Sequence, residues 1–157
     1  MKILVTVLAI LIAMSPMSAA NARAPDNQPV IFKSGKWSVR QSRDPMSDKK
    51  TCTGYYGKRR DIQLNQGNFY IDYAGRGGIS SVTLRFDGLP PHEMRLASDI
   101  EKESGSLSMN EQEFSELVSS KRLRVEVLTV LHTIIDEDID LTGLKEAHAV
   151  IAGPKCS

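Results

Sequence analysis

The sequence predicts a mainly β protein: an antiparallel β-sandwich or open barrel with two short helices, one of them C-terminal, and one disulfide. Three observations carry this. Apolar and polar residues alternate with period two in several short runs; the period changes to the helical one in only two places; and an apolar leader precedes a chain with two cysteines, Cys52 and Cys156.

The leader comes first. Lys2 is followed by the apolar run Ile3 to Met14, then by Pro16 and the small residues Ser18, Ala19, Ala20 and Ala22. This order is that of a secretory signal peptide, residues 1–22, cut after Ala22 or alternatively after Ala20. A membrane anchor needs roughly 20 apolar residues and this run is shorter. No cysteine directly follows the leader, which argues against a lipid anchor. The expected location is the periplasm, with no membrane span after cleavage.

Without the leader about 135 residues are left, one domain's worth. The chain carries 20 Lys and Arg against 19 Asp and Glu, and loses Lys2 with the leader, so the exported form is formally neutral. No net field draws it to nucleic acid or an acidic membrane. Export also implies an oxidising compartment, where two cysteines admit one intramolecular pairing, Cys52 to Cys156. The loop so closed is about 100 residues, for which chain entropy gives roughly 4 to 5 kcal/mol. The bond should dock the last helix on the sheet.

Residues 23–35 contain Pro25, Pro29 and Gly35 among polar residues and read as a flexible segment, so a single β-rich domain, 36–157, is expected. Lys36 to Ser42 alternates, with Trp37 and Val39 on one face. Trp37 is expected in the core, against Val82, Leu84 and Phe86. Asp44-Pro45 opens a turn before a strand through Thr51 to Tyr56. Asp61 to Leu64 and Asn68 to Tyr73 flank Asn65-Gln66-Gly67 as a hairpin. Gly75-Arg76-Gly77-Gly78 supplies a tight connection. Ser80 to Asp87 alternates again, with Thr83 and Arg85 on the polar face.

Pro90-Pro91 breaks the ladder, and Met94 to Asp99 reads as a further strand before a polar turn at Glu103 to Ser106. Phe114, Leu117 and Val118 then recur at helical spacing behind an Asn110–Glu113 capping box. Lys121 to Ile135 is the longest β-rich run. Leu128 and Val130 make its second half apolar on both faces, so that half should be covered on both sides, with the terminal helix as cover. That helix is marked by Leu144, Ala147, Val150 and Ile151 and stopped by Gly153-Pro154. The sum is about seven strands in one sandwich or barrel.

Few of these residues carry chemistry. Asp136, Asp138 and Asp140 resemble the opening of a calcium loop, but the position that needs Gly is Leu141 and the one that needs an acid is Ala147. A solvated acidic turn between strand and helix is the better reading. His92, His132 and His148 share no ligand spacing, and no nucleophile elbow, phosphate-binding loop or C-x-x-C is present. The sequence therefore predicts no catalytic residue, no metal and no cofactor. One basic and aromatic patch stands out, Lys58, Arg59 and Arg60 beside Tyr55 and Tyr56. Cations next to aromatic faces can anchor a partner; the alternative is a charged loop guarding a sheet edge. Arg85, Arg122 and Arg124 are secondary candidates.

Trp37-Ser-Val, the Asp44-Pro-Met-Ser-Asp48 turn, Phe114-x-x-Leu117, Lys121-Arg-Leu-Arg-Val125 and Asp140-Leu-Thr-Gly-Leu144 with a helix ending at Cys156 form a pattern. It resembles that of small envelope proteins grouped with type VI secretion accessory proteins. The closing segment is also similar to the end of the invasion-associated locus B family, exported β-rich proteins whose extra cysteines are absent here. Both resemblances imply a binding or accessory protein of the bacterial envelope, whose partner is another envelope or exported protein. An inhibitor or immunity protein that blocks an exported enzyme is the alternative, and an envelope hydrolase the third.

Overall fold

Alternation along the first predicted strand buries Trp37 and Val39 to 1% and 0% exposure. Burial of this kind organises the whole molecule. The computed structural model describes residues 28–156, so the leader and its cleavage site lie outside the described residues. Strands β1 (Val30–Ser34), β2 (Trp37–Arg43), β3 (Lys50–Tyr56), β4 (Arg59–Asn65), β5 (Asn68–Asp72) and β8 (Ser106–Ser108) form one antiparallel sheet in that order. A second antiparallel sheet has the order β10 (Ile134–Asp140), β9 (Arg122–Leu128), β6 (Ser81–Phe86), β7 (Arg95–Leu96). The inward residues of both, among them Ile62, Leu64, Phe69, Val82, Leu84, Phe86, Leu123 and Val125, make one continuous core.

Three α-helices among the described residues complete the fold: α1 (Asp99–Ser104), α2 (Glu111–Ser119) and α3 (Leu144–Ile151). Leu144, Ala147 and Ile151 are buried on α3, which packs on β1 to β4 and on α2. The Cys52–Cys156 disulfide ties the chain beyond α3 to β3 across a separation of 104 residues. The expected docking of the last helix is therefore present.

The sandwich is also closed along both edges of the smaller sheet. At the β10 edge the Trp37 indole N–H donates to the Asp140 carbonyl at 3.3 Å, and the Asp140 N–H donates to the Tyr56 hydroxyl at 3.1 Å. The Trp37 ring lies 5.3 Å from Tyr56 and 6.1 Å from Phe69. At the β7 edge one guanidinium, that of Arg95, holds α1, α2 and β8 together.

Four expectations are corrected. The sheet begins at Val30, inside the segment read as flexible, because Ile31 and Phe32 pack on the core. The β1–β2 turn at Gly35 (φ +54°) meets the β10–α3 turn at Gly143 (φ +91°). A Cβ on Gly35 would sit 2.4 Å from the Thr142 oxygen, and one on Gly143 would sit 2.4 Å from that of Ser34, so both positions need glycine. Next, Lys121 to Ile135 is a hairpin. The chain turns at Thr129–Thr133, where the Thr129 hydroxyl accepts the Thr133 N–H at 3.0 Å and His132 takes φ +59°. Val130 and Leu131 are consequently 59% and 73% exposed, and α3 covers the other sheet.

The third correction is a helix, α1, where the expected strand runs into a polar turn. Ser98 accepts the Glu101 N–H while the Glu101 carboxylate accepts that of Ser98, a capping box that outweighs the short β7. Finally, Asp136, Asp138 and Asp140 lie within β10 rather than in a turn.

Candidate functional site

The β3–β4 hairpin distributes its basic and aromatic residues over two faces. Neighbouring residues of a strand point to opposite sides. Tyr56 faces the core and accepts a hydrogen bond from Lys36 Nζ at 3.3 Å, whereas Tyr55 packs beneath the Arg60 guanidinium, 5.3 Å from its ring centroid. Arg59 turns toward the second sheet. Its guanidinium donates to Glu137 at 2.6 and 3.0 Å and to Asp61 at 3.1 Å, and Arg76 reaches the same Glu137 at 2.5 Å. Glu137 points inward from β10 at 9% side-chain exposure, and its contacts with Arg59 hold its carboxyl below the usual range despite burial. Lys58 stands exposed at the turn. The five residues therefore do not form one surface, and Arg59 acts as a clasp between the sheets.

The three secondary candidates do come together. On β6, β9 and β10 the outward residues are aligned in register: Arg85 opposite Arg124 opposite Asp138, and Thr83 opposite Glu126 opposite Asp136. The next row is Ser81, Leu128 and Ile134, continued by Leu96 on β7. Arg122 faces Asp140 at the far end. A groove of ≈ 560 Å³ runs over this surface, with Arg85, Arg124, Pro91, Glu126 and Asp136 among its walls. Beside it a recess of ≈ 430 Å³ is bounded by Lys36, Lys121, Arg122, Asp138 and Asp140.

The charges here are incompletely matched. Arg122 grips Asp138 in a fork at 2.7 and 2.5 Å, and this contact lowers the Asp138 carboxyl below its ordinary value. Arg124 reaches the same carboxylate only at 3.5 Å. Arg85 donates from Nε to the Leu89 carbonyl at 2.8 Å and, among the described residues, has no carboxylate within ion-pair distance. Two guanidiniums directly opposite on paired strands repel, which stability alone does not select.

The largest polar feature missed in the sequence is the Arg95 cluster. Arg95 Nη1 and Nη2 donate to Glu101 at 2.9 and 3.0 Å, Nε donates to Glu113 at 2.8 Å, and Nη2 also reaches the Ser108 carbonyl at 3.2 Å. Both carboxylates are capping-box acids, with side chains 4% and 7% exposed. Burial pushes the Glu101 carboxyl up, but Arg95 and the Ser108 and Ser98 amides outweigh it and bring it to about 2. The two Ser/Asn-x-x-Glu spacings were a visible signal; the arginine they share was not.

The histidines are separate. His92 pairs with Glu116 at 3.0 Å and His148 meets the edge of Phe114 at 5.2 Å. No described group of three or more His, Cys, Asp or Glu is arranged to hold a metal ion. No helix among the described residues is long and apolar enough to cross a membrane.

No family model matches the chain, and no curated protein matches it. The likeness to type VI secretion accessory proteins accordingly rests on the sequence motifs alone. Among solved structures, the fold is similar to that of invasion associated protein B from Bartonella henselae, with a TM-score of 0.50 and 14% identity over 76% of this chain and 92% of that one. At that identity the likeness is one of fold.

Proposed function

We propose that this chain is an exported, non-catalytic binding protein of the bacterial cell envelope, an accessory to another envelope or exported protein. Its contact surface is the outward face of the β10-β9-β6-β7 sheet. The observation that carries this reading is the like-charge pair Arg85 and Arg124, side by side in a groove on a face that no helix among the described residues covers. Charges so placed cost a little stability and gain their value from a partner. The leader and the long-range disulfide support an oxidising compartment. The fold is similar to that of a protein named for invasion, and the sequence motifs support a link to secretion.

Affinity capture from envelope extract tests it. The wild-type protein should retain a partner in a salt-sensitive way, because its exposed charges are screened, and Arg85→Ala with Arg124→Ala should release that partner. Retention unaffected by both substitutions and by salt would refute the assigned face.

A second reading, an inhibitor that blocks an exported enzyme, is favoured by the β9–β10 hairpin, whose Val130 and Leu131 are exposed. In that case Leu131→Ser abolishes capture and the arginine substitutions do not.

A further inference from the structure

Along β9 the outward side chains are Leu128, Glu126, Arg124 and Arg122, and the first three each continue sideways into a row of their own character. The first row is aliphatic: Leu128 lies between Ile134 and, beyond Ser81, Leu96, with Ile134 and Leu96 61% and 71% exposed. The second is acidic, Glu126 beside Asp136, and neither makes an ion pair among the described residues. The third is basic, Arg85 beside Arg124. Asp138 ends that row; its carboxylate is forked by Arg122, and Arg124 reaches it only at 3.5 Å, while Arg85 does not pair with it. Alternate residues of a strand are about 6.6 to 6.8 Å apart, so the rows repeat at that step. An extended peptide presents its own alternate side chains at the same step.

We propose that this face binds an extended protein segment carrying an aliphatic residue, then Lys or Arg, then Asp or Glu at alternate positions. The inference rests on the reading of this face as the contact surface and names the partner's chemistry. The aliphatic side chain lies against Leu128 and Ile134, the cation against Glu126 and Asp136, and the carboxylate between Arg85 and Arg124. Arg85 is suited to this because its Nε is fixed on the Leu89 carbonyl while its two terminal nitrogens make no hydrogen bond among the described residues. A carboxylate placed between the two guanidiniums replaces their mutual repulsion with charge-assisted hydrogen bonds. A polyanion is disfavoured, since the acidic row lies one step from the basic one. An anionic membrane is disfavoured likewise, because Glu126 and Asp136 separate the exposed aliphatic row from the arginines.

The test uses the folded, disulfide-bonded protein and two end-blocked fluorescent peptides, LSKSE and LSESK in one-letter code, read by anisotropy. The first order should bind at least about tenfold more tightly. The fourfold swap Arg85→Glu, Arg124→Glu, Glu126→Lys and Asp136→Lys should invert the preference, with unchanged Trp37 fluorescence reporting an intact core. Should the swap not fold, Arg85→Gln with Arg124→Gln should weaken LSKSE and should not weaken LSESK, whose lysine no longer meets two cations. Equal affinity for the two orders, or tighter binding of dextran sulfate than of either peptide, overturns the proposal. If the peptides are not distinguished while envelope capture still depends on Arg85 and Arg124, the segment chemistry is wrong and the binding face stands. If LSKSE binds selectively while capture ignores both arginines, the envelope-accessory reading fails instead.

Discussion

Arg95 and Arg124 belong to the same four-stranded sheet and face opposite ways. Arg95 points inward from a two-residue edge strand and satisfies Glu101, Glu113 and a backbone carbonyl at once. Arg124 points outward from a central strand, shares Asp138 with Arg122, and lies opposite another arginine. The chemistry is identical and the surroundings decide its use. Around Arg95 the acids are already buried by the folding of two capping boxes, so a missing cation would leave two carboxylates unpaired away from water. Around Arg124 water solvates whatever is unpaired, so a mismatch there costs little and stays available to a partner.

The largest expected effect that separates the two is Arg95→Ala. Breaking a buried pair costs about 3 to 5 kcal/mol, and the 30% exposure of the Arg95 side chain places this case near the lower figure. Urea denaturation at neutral pH measures it. A loss no larger than that of a surface substitution would show that the two clusters do not differ.

Acid sharpens the same contrast. The folded-state pKa of Glu101, about 2, lies below its ordinary 4.5, so its stabilising contribution is fully present above 4.5 and is lost as pH falls from there through about 2. Unfolding midpoints measured across that window should fall more steeply for the wild type than for Arg95→Ala, in which the largest cause of the depression is gone and only the Ser108 and Ser98 amides still lower the carboxyl.

Arg124→Ala should change stability by no more than about 0.5 kcal/mol, and Arg85→Ala should be neutral or slightly stabilising because it removes a like-charge pair. Differential scanning calorimetry of the two variants checks both. The smallest effect is that of Lys58→Ala. With the outward face as the contact surface, this substitution at the β3–β4 turn should leave both melting temperature and partner capture unchanged.

Much of the fold was legible because it depends on local period. The alternation of Val82, Leu84 and Phe86 with Thr83 and Arg85 identified β6 and its faces, and Asn65-Gln66-Gly67 identified the β4–β5 hairpin. The β9–β10 hairpin was not legible because its turn, Thr129 to Thr133, contains no Gly or Pro and is held by a threonine hydroxyl. Nor was α1, whose six residues lack an apolar stripe and are specified by a capping box and a distant arginine.

The candidate site divides in the same way. Arg85, Arg122 and Arg124 could be placed on polar strand faces from alternation alone. Their meeting needs the β6–β9 register, which sets Arg85 opposite Arg124, 39 positions on in the chain.

By itself, then, the sequence determined the mainly β class, the inward faces of the strong strands, the terminal helix and the cysteine pairing. Each follows from near-neighbour spacing or from there being only two thiols. The tertiary structure alone decided that Tyr56 and Arg59 serve the closure between the sheets, that Glu137 faces inward, and that aliphatic, acidic and basic rows lie next to one another. These depend on which strands pair and in what register, a choice made by burial of the whole core rather than by any local stretch of chain.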